Sequence, residues 1–182
     1  MKSIIYLTGF MSAGKSTLGP ILANSIGWKF FDLDKEIEKR AGKSIVRMYS
    51  EDGEDYFRNL ESSLLKELSV FQNTVISLGG GTILQQVNID LMKSRGVLIY
   101  LNVSPEAAQR RLRFKRDRPA LLFPEGEEPT QEQLLDRIKI LYNQRKQYYL
   151  QADVIIDTDQ LTIGKTIDKL IRILKLKRII ES

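Results

Sequence analysis

The sequence predicts an α/β fold on a parallel sheet, and three observations carry that prediction. Short apolar runs alternate with amphipathic segments along the chain, the pattern of strands alternating with helices. The first run, residues 3–8, leads directly into Gly9-Phe10-Met11-Ser12-Ala13-Gly14-Lys15-Ser16-Thr17 and then into a helical segment. The chain has 182 residues, 42% hydrophobic and 28% charged, which suits one soluble domain with a sizeable core.

The first strand covers residues 3–8 and the first helix residues 15–26. Between them, Gly9 and Gly14-Lys15-Ser16 have the spacing of a P-loop in the strand–loop–helix setting it needs. Glycines let backbone N–H groups close around a phosphate, and the helix N-terminus adds donors and a positive dipole end. Lys15 supplies a mobile cation and Ser16 a hydroxyl suited to Mg²⁺. The plainer alternative is a glycine-containing turn that binds nothing.

The second strand, residues 29–32, ends in Phe31-Asp32-Leu33-Asp34. If the chain stays extended there, Asp32 and Asp34 point the same way, at a strand end where α/β proteins bind ligands. Two such carboxylates can hold Mg²⁺ and act on a hydroxyl. Alternatively, Asp34 caps a helix starting at Lys35. That short helix runs to Arg40 and stops at Gly42, and Ser44 opens another turn through Tyr49. The next helix covers residues 51–65, with Phe57, Leu60, Leu64 and Leu68 as its apolar stripe. Arg58 and Glu61 lie at i,i+3. By themselves they read as a surface pair of little worth.

The third strand, residues 74–77, runs into Leu78-Gly79-Gly80-Gly81-Thr82. Three glycines cost entropy on folding and permit close backbone approach to a ligand; the bland reading is a sharp turn. P-loop enzymes often carry an Asp for Mg²⁺ at this strand end. Here Ser77 and glycines stand there, so Asp32 is the candidate to replace it. A helix over residues 85–93 leads to a fourth strand over residues 96–101. Ser104 and Pro105 open the next helix as N-cap and N1.

The basic run from Arg110 to Arg118 comes next, and residues 118–129 hold three prolines and no helical period. That stretch reads as a mobile lid carrying Arg118, or as a plain surface loop. Thr130 and Gln133 fit a capping box for a long helix with Leu134, Leu135, Ile138, Leu141, Tyr142 and Tyr149 on its stripe. Arg145 falls on the same stripe and needs an anion, either a salt-bridge partner or a ligand. The fifth strand covers residues 152–156. The last helix covers residues 162–176, with Ile163, Ile167, Leu170, Ile171 and Leu174 at helical spacing.

The composition narrows the chemistry. The chain has no cysteine and no histidine, so a general base must be a carboxylate, a lysine or a tyrosine. No apolar run approaches the ~20 residues of a membrane span, and Met1-Lys2 leads straight into the first strand. A cytoplasmic protein with no membrane partner is the expectation. The net charge of +5 reads as phosphate binding rather than nucleic-acid binding. For a single domain of this size the expected state is a monomer.

Together these segments resemble the shikimate kinase family. The resemblance spans nearly the whole chain. It rests on Gly9 to Thr17, Phe31-x-x-Asp34 with Asp32, Gly53-Glu54-x-x-Phe57-Arg58-x-x-Glu61, Gly79-Gly80-Gly81, Arg118-Pro119 and Arg145-x-x-x-Tyr149-x-x-Ala152. It implies a three-layer P-loop kinase like the nucleoside monophosphate kinases. The implied sheet has five parallel strands in order 2-3-1-4-5 with helices on both faces. Residues 34–62 form the implied shikimate-binding segment and residues 112–129 the mobile lid.

The resemblance further implies ATP-dependent phosphorylation of the 3-hydroxyl of shikimate, in aromatic amino-acid biosynthesis, with Mg²⁺. It assigns ATP to Gly9, Met11, Ser12, Ala13, Gly14, Lys15, Ser16 and Thr17, with Arg111 beside adenine and Arg118 over the phosphates. Mg²⁺ goes to Ser16 and, through water, Asp32. Asp34, Lys15 and Arg118 are the implied catalytic groups. Arg58 and Arg145 clamp the substrate carboxylate, Glu61 orients Arg58, and Gly79, Gly80 and Gly81 approach the ring. One departure is Ala120, where the family pattern has Leu after Pro119. The rival readings are a kinase of gluconate or of a nucleoside monophosphate, and a nucleotide-dependent binding module without catalysis.

Overall fold

The computed structural model describes residues 3–112 and 130–180. Its five strands are β1 (Ile4–Thr8), β2 (Lys29–Asp32), β3 (Thr74–Ser77), β4 (Val97–Asn102) and β5 (Val154–Asp157), all parallel in order 2-3-1-4-5. The helices among the described residues are α1 (Lys15–Ser25), α2 (Leu33–Ala41), α3 (Ile45–Glu51), α4 (Glu54–Leu68), α5 (Gln86–Arg95), α6 (Pro105–Leu112), α7 (Gln131–Tyr149) and α8 (Ile163–Leu176).

Every residue of β1 and β3 is buried. Successive strand residues point to opposite faces, so both faces of the sheet centre are covered. The edge strand β5 instead alternates buried and exposed positions. The core is built from the apolar sequence runs, with Ile5, Leu7, Ile76 and Leu98 fully enclosed. Each such side chain contributes roughly 1.5–3 kcal/mol on burial.

The order β2-β3-β1 matters most for function. Asp32 pairs with Ser77 and Leu7 with Ser77 across the ladders. The carboxyl ends of three neighbouring strands therefore stand side by side. Leu33-Asp34, the triple glycine and the P-loop extend from those three ends.

Local chemistry sets the helix starts. Ser44, Thr130 and Thr162 each accept a hydrogen bond from a first-turn amide, and Thr130 with Gln133 completes the capping box. Several sequence expectations need correction. α2 begins at Leu33, and its N-cap is Asp32, whose carboxylate accepts from the Lys35 amide at 3.4 Å. Asp34 is therefore a first-turn helix residue, neither the cap nor part of an extended pair with Asp32.

A 3₁₀ turn at Thr82–Leu84, absent from the sequence reading, comes after the glycines. On α8, Ile163 is exposed, and Thr166 faces the core with its hydroxyl bonded to the Thr162 carbonyl. On α7 only Ile138 and Tyr149 are buried; Leu134, Leu141 and Tyr142 pack partly buried against the core, and Leu141 also lines a cavity.

Candidate active site

The P-loop wraps the end of β1. Gly9 has φ 153°, and a Cβ there would lie 2.6 Å from the Leu101 carbonyl oxygen, so only glycine turns the chain this close to β4. Gly14 sits at φ 98° as the N-cap of α1. Ser12 takes a left-handed conformation, φ 60°. Lys15 donates from Nζ to the carbonyls of Gly9 at 2.7 Å and Phe10 at 3.2 Å, folding across the loop it serves.

Of the predicted nucleotide residues, Met11, Ser12, Gly14, Lys15, Ser16, Thr17 and Arg111 line a cavity of about 1140 Å³. The side chains of Met11 and Ala13 belong to the core. Gly9 shapes the loop from behind and does not line the cavity.

The same cavity holds Asp34, Arg58, Glu61, Gly79–Gly81 and Arg145. Glu61 is fully buried. It accepts from Arg58 Nη1 at 2.8 Å and from Thr82 Oγ1 at 2.5 Å. The surface-pair reading of Arg58 and Glu61 is therefore overturned: α4 turns this pair inward beside the glycines. Glu54 adds a second contact to Arg58 at 3.2 Å. Burial works against the Arg58 charge, but Glu61, Tyr49 and Glu54 outweigh it and hold the guanidinium above its ordinary value.

Gly79 and Gly81 make room for polar side chains where a Cβ would clash, and Gly80 lies in ordinary contact with another. A Cβ on Gly79 would lie 2.6 Å from Asp34 Oδ1 and 3.1 Å from Glu61 Oε1. One on Gly80 would lie 3.4 Å from Arg145 Nη1, and one on Gly81 2.6 Å from Arg58 Nη2. The sequence reading had these glycines serving a ligand directly. They also bring three polar groups to one wall.

From α7, Arg145 Nη1 and Tyr149 Oη both donate to the Gly80 carbonyl, at 3.3 and 2.8 Å. Tyr149 stacks on Tyr100 at 4.8 Å between centroids. Among the described residues, no carboxylate forms a salt bridge with Arg145, so its charge is turned to the cavity.

Arg111, at the end of α6, donates to the Ser12 carbonyl at 3.3 Å and to the Thr158 carbonyl at 2.8 Å. It lines the main cavity and an adjoining one of about 260 Å³ that also touches Thr158, Leu161 and Ile163. Thr158 escaped the sequence reading because it sits in a short polar loop with no motif. Arg118 and the lid, beyond Leu112, lie outside the described residues.

Ser16 and Asp32 face the same cavity. Among the described residues, no three acidic side chains gather as a cage. Two oxygen donors beside a phosphate loop suit Mg²⁺, which takes few protein ligands and keeps water and phosphate oxygens. The tyrosines do not suit a base: burial pushes Tyr149 up to about 12 and raises Tyr49 as well. Asp34 is one of five carboxylates on the cavity wall, with Asp32, Glu38, Glu54 and Glu61, and its Oδ1 lies against Gly79.

A phosphate loop and an arginine-lined acceptor cavity, side by side on a parallel sheet of order 2-3-1-4-5, define a small-molecule kinase of the P-loop class. The family model described as shikimate kinase matches residues 11–175. A shikimate kinase of Chlorobaculum tepidum is 47% identical over 170 residues, covering 93% of this chain and 89% of the relative. Among solved structures, shikimate kinase from Bacteroides thetaiotaomicron has a TM-score of 0.87 and 38% identity, covering 95% of this chain and 98% of the other. Shikimate kinase from Acinetobacter baumannii, in complex with shikimate, has a TM-score of 0.87 and 30% identity, covering 97% and 95%. The chain belongs to the shikimate kinase family.

Proposed function

We propose that this chain transfers the γ-phosphoryl group of ATP to the 3-hydroxyl of shikimate, giving shikimate 3-phosphate and ADP for aromatic amino-acid biosynthesis. The observation that carries the reading is the convergence of Asp34, Arg58 and Arg145 on three consecutive glycines in the cavity that the P-loop shares. Family membership and the shikimate complex of the Acinetobacter baumannii relative support the choice of acceptor.

Arg58 and Arg145 pair with the substrate carboxylate, for which a guanidinium fork is the matching donor set. Glu61 holds Arg58 in position from the buried side. Asp34 accepts a hydrogen bond from the 3-hydroxyl and takes its proton as that oxygen bonds to phosphorus. The bond from phosphorus to the β,γ-bridging oxygen breaks, and ADP leaves with that oxygen. P-loop amides and Lys15 hold the phosphates, with Arg118 as the further cation of the lid; catalysis here is positioning and charge stabilisation.

Ser16 and, through water, Asp32 would hold Mg²⁺, which would offset phosphate charge. Arg111 and the adjoining smaller cavity take the adenine end. The protein acts as a cytoplasmic monomer on small molecules, without nucleic-acid or membrane partners. Among the described residues no helix is long and apolar enough to cross a membrane.

A coupled ADP-release assay with ATP and Mg²⁺ tests the proposal, comparing shikimate, gluconate, nucleoside monophosphates and no acceptor. Release with shikimate alone is the expected result. Release with another acceptor would reassign Arg58 and Arg145, and no acceptor-dependent release would leave a nucleotide-binding module.

A further inference from the structure

Arg137 has no place in the sequence reading, yet it lines the main cavity with Leu141 and Arg145. The three residues stand at successive i,i+4 positions of α7, and Tyr149 continues the row, so they share one helix face. Arg137 is exposed, and among the described residues no carboxylate forms a salt bridge with it.

The row has a direction. At its far end, Arg145 and Tyr149 meet the Gly80 carbonyl, on the acceptor wall. At its start, α7 lies against α6, where the Gln109 side chain donates to the Gln131 carbonyl. Two residues beyond Gln109, Arg111 is bonded to Ser12 of the P-loop. Along α7, Arg137 therefore stands between Gln131, which meets α6, and Arg145, which meets the Gly80 carbonyl, and it lines the cavity that the P-loop shares.

Arg137 and Arg145 are eight residues apart, about 12 Å along the axis at 1.5 Å per residue. Side chains leaving one helix face run roughly parallel, so the two guanidinium groups address different anions. Shikimate carries one carboxylate, and Arg58 and Arg145 serve it. The other anions that the cavity must hold are the nucleotide phosphates, which the P-loop cradles, and the phosphoryl group in transfer.

We propose that Arg137 binds the phosphoryl group as it moves to the acceptor and holds it on the phosphorylated product, an inference that rests on the proposed shikimate phosphorylation. It acts through charge-assisted hydrogen bonds to phosphate oxygens. Because the site is open to water, its strength falls with salt.

The test uses the full chain with Arg137→Ala and Arg137→Lys, both at an exposed position where folding is retained. Shikimate and shikimate 3-phosphate are titrated by calorimetry, and shikimate-dependent ADP release is measured alongside. In Arg137→Ala, product affinity and kcat should each fall about tenfold, the scale of a charged hydrogen bond discounted for exposure, while KM for shikimate stays within about twofold. Arg137→Lys should recover part of both losses, and added salt should weaken product binding in the wild type more than in Arg137→Ala.

Product affinity and kcat within about twofold of wild type in Arg137→Ala would overturn the assignment, on the same scale. So would a loss confined to KM for shikimate, which would give Arg137 to the carboxylate. Wild-type turnover separates the two levels. If the wild type releases ADP with shikimate and the variant matches it, the Arg137 assignment alone fails. If the wild type does not, the functional reading fails and this assignment falls with it.

Discussion

Asp34 occupies the space that a side chain on Gly79 would fill: a Cβ at position 79 would lie 2.6 Å from Asp34 Oδ1. Real Cβ atoms do not come that close to an oxygen, so the carboxylate would have to move. Gly79→Ala should therefore lower kcat by about 100-fold, the cost of displacing a reacting group by an ångström. ADP affinity should be kept, since the P-loop lies on the neighbouring strand β1. Steady-state kinetics and an ADP titration check this, and an unchanged kcat would refute it.

Asp34→Ala removes the group rather than moving it. Turnover should fall by at least about 100-fold, the lower bound for a positioned acid–base group. ATP affinity should stay near wild type because the nucleotide half of the cavity is untouched. Wild-type turnover in this variant would sink the role of Asp34.

Arg58→Ala and Arg145→Ala should both weaken shikimate binding, by about tenfold or more for a lost charged hydrogen bond. They should differ in stability. Arg58 partners the fully buried Glu61, and its removal leaves that carboxylate, among the described residues, with Thr82 alone. Breaking such a buried pair costs about 3–5 kcal/mol. Arg145 bonds a carbonyl that Tyr149 also serves, so Arg145→Ala should melt close to wild type. Urea melts and shikimate titrations on both variants separate the two roles; near-normal shikimate affinity in either would remove that arginine from the carboxylate site.

Tyr149→Phe deletes a buried hydrogen bond to Gly80 and should cost about 1 kcal/mol. It should also change alkaline stability. Burial raises the Tyr149 phenol from 10.0 to about 12, so the unfolded chain gives up this proton first. The resulting stabilisation is complete below pH 10.0 and is lost as the pH climbs towards about 12. The variant should show a shallower decline across that window in melts against pH, and an equal decline would rule out the effect.

Arg111→Ala should raise KM for ATP several-fold and leave KM for shikimate unchanged. Arg111 joins α6 to the P-loop at Ser12 and to Thr158, both on the nucleotide side of the cavity. A matching rise in both constants would show that it supports the whole site instead.

The features legible in the sequence are those written over short stretches. The P-loop needs only its glycines, Lys15 and the flanking strand and helix. The capping box at Thr130 and Gln133 is a contact across one helical turn, and the sequence reading and the structure agree on it. The alternation of strands and helices carries the α/β class, and strands β2 and β3 match their predicted bounds. Motif resemblance supplied the sheet order, and most of the residues that it named line one cavity.

Local reasoning went astray where an element's environment decides its meaning. Asp32 and Asp34 looked like an extended pair, but helix α2 starts between them because Asp32 can cap it. Arg58 and Glu61 have the spacing of a surface pair, and only the packing of α4 beside the glycines buries them. Arg137 lies on the face marked by Arg145, two turns earlier. Extending the i,i+4 row back from Arg145 would have found it, but which face of α7 meets the cavity depends on the α6 and Gly80 contacts.

The sequence alone determined the phosphate loop, the capping box at Thr130 and the α/β class, because each depends on residues a turn or a strand apart. Tertiary structure decided which side chain each glycine admits, which charges are buried and which helix face lines the cavity. Those depend on the parallel order of β2, β3 and β1, which sets distant segments within van der Waals reach.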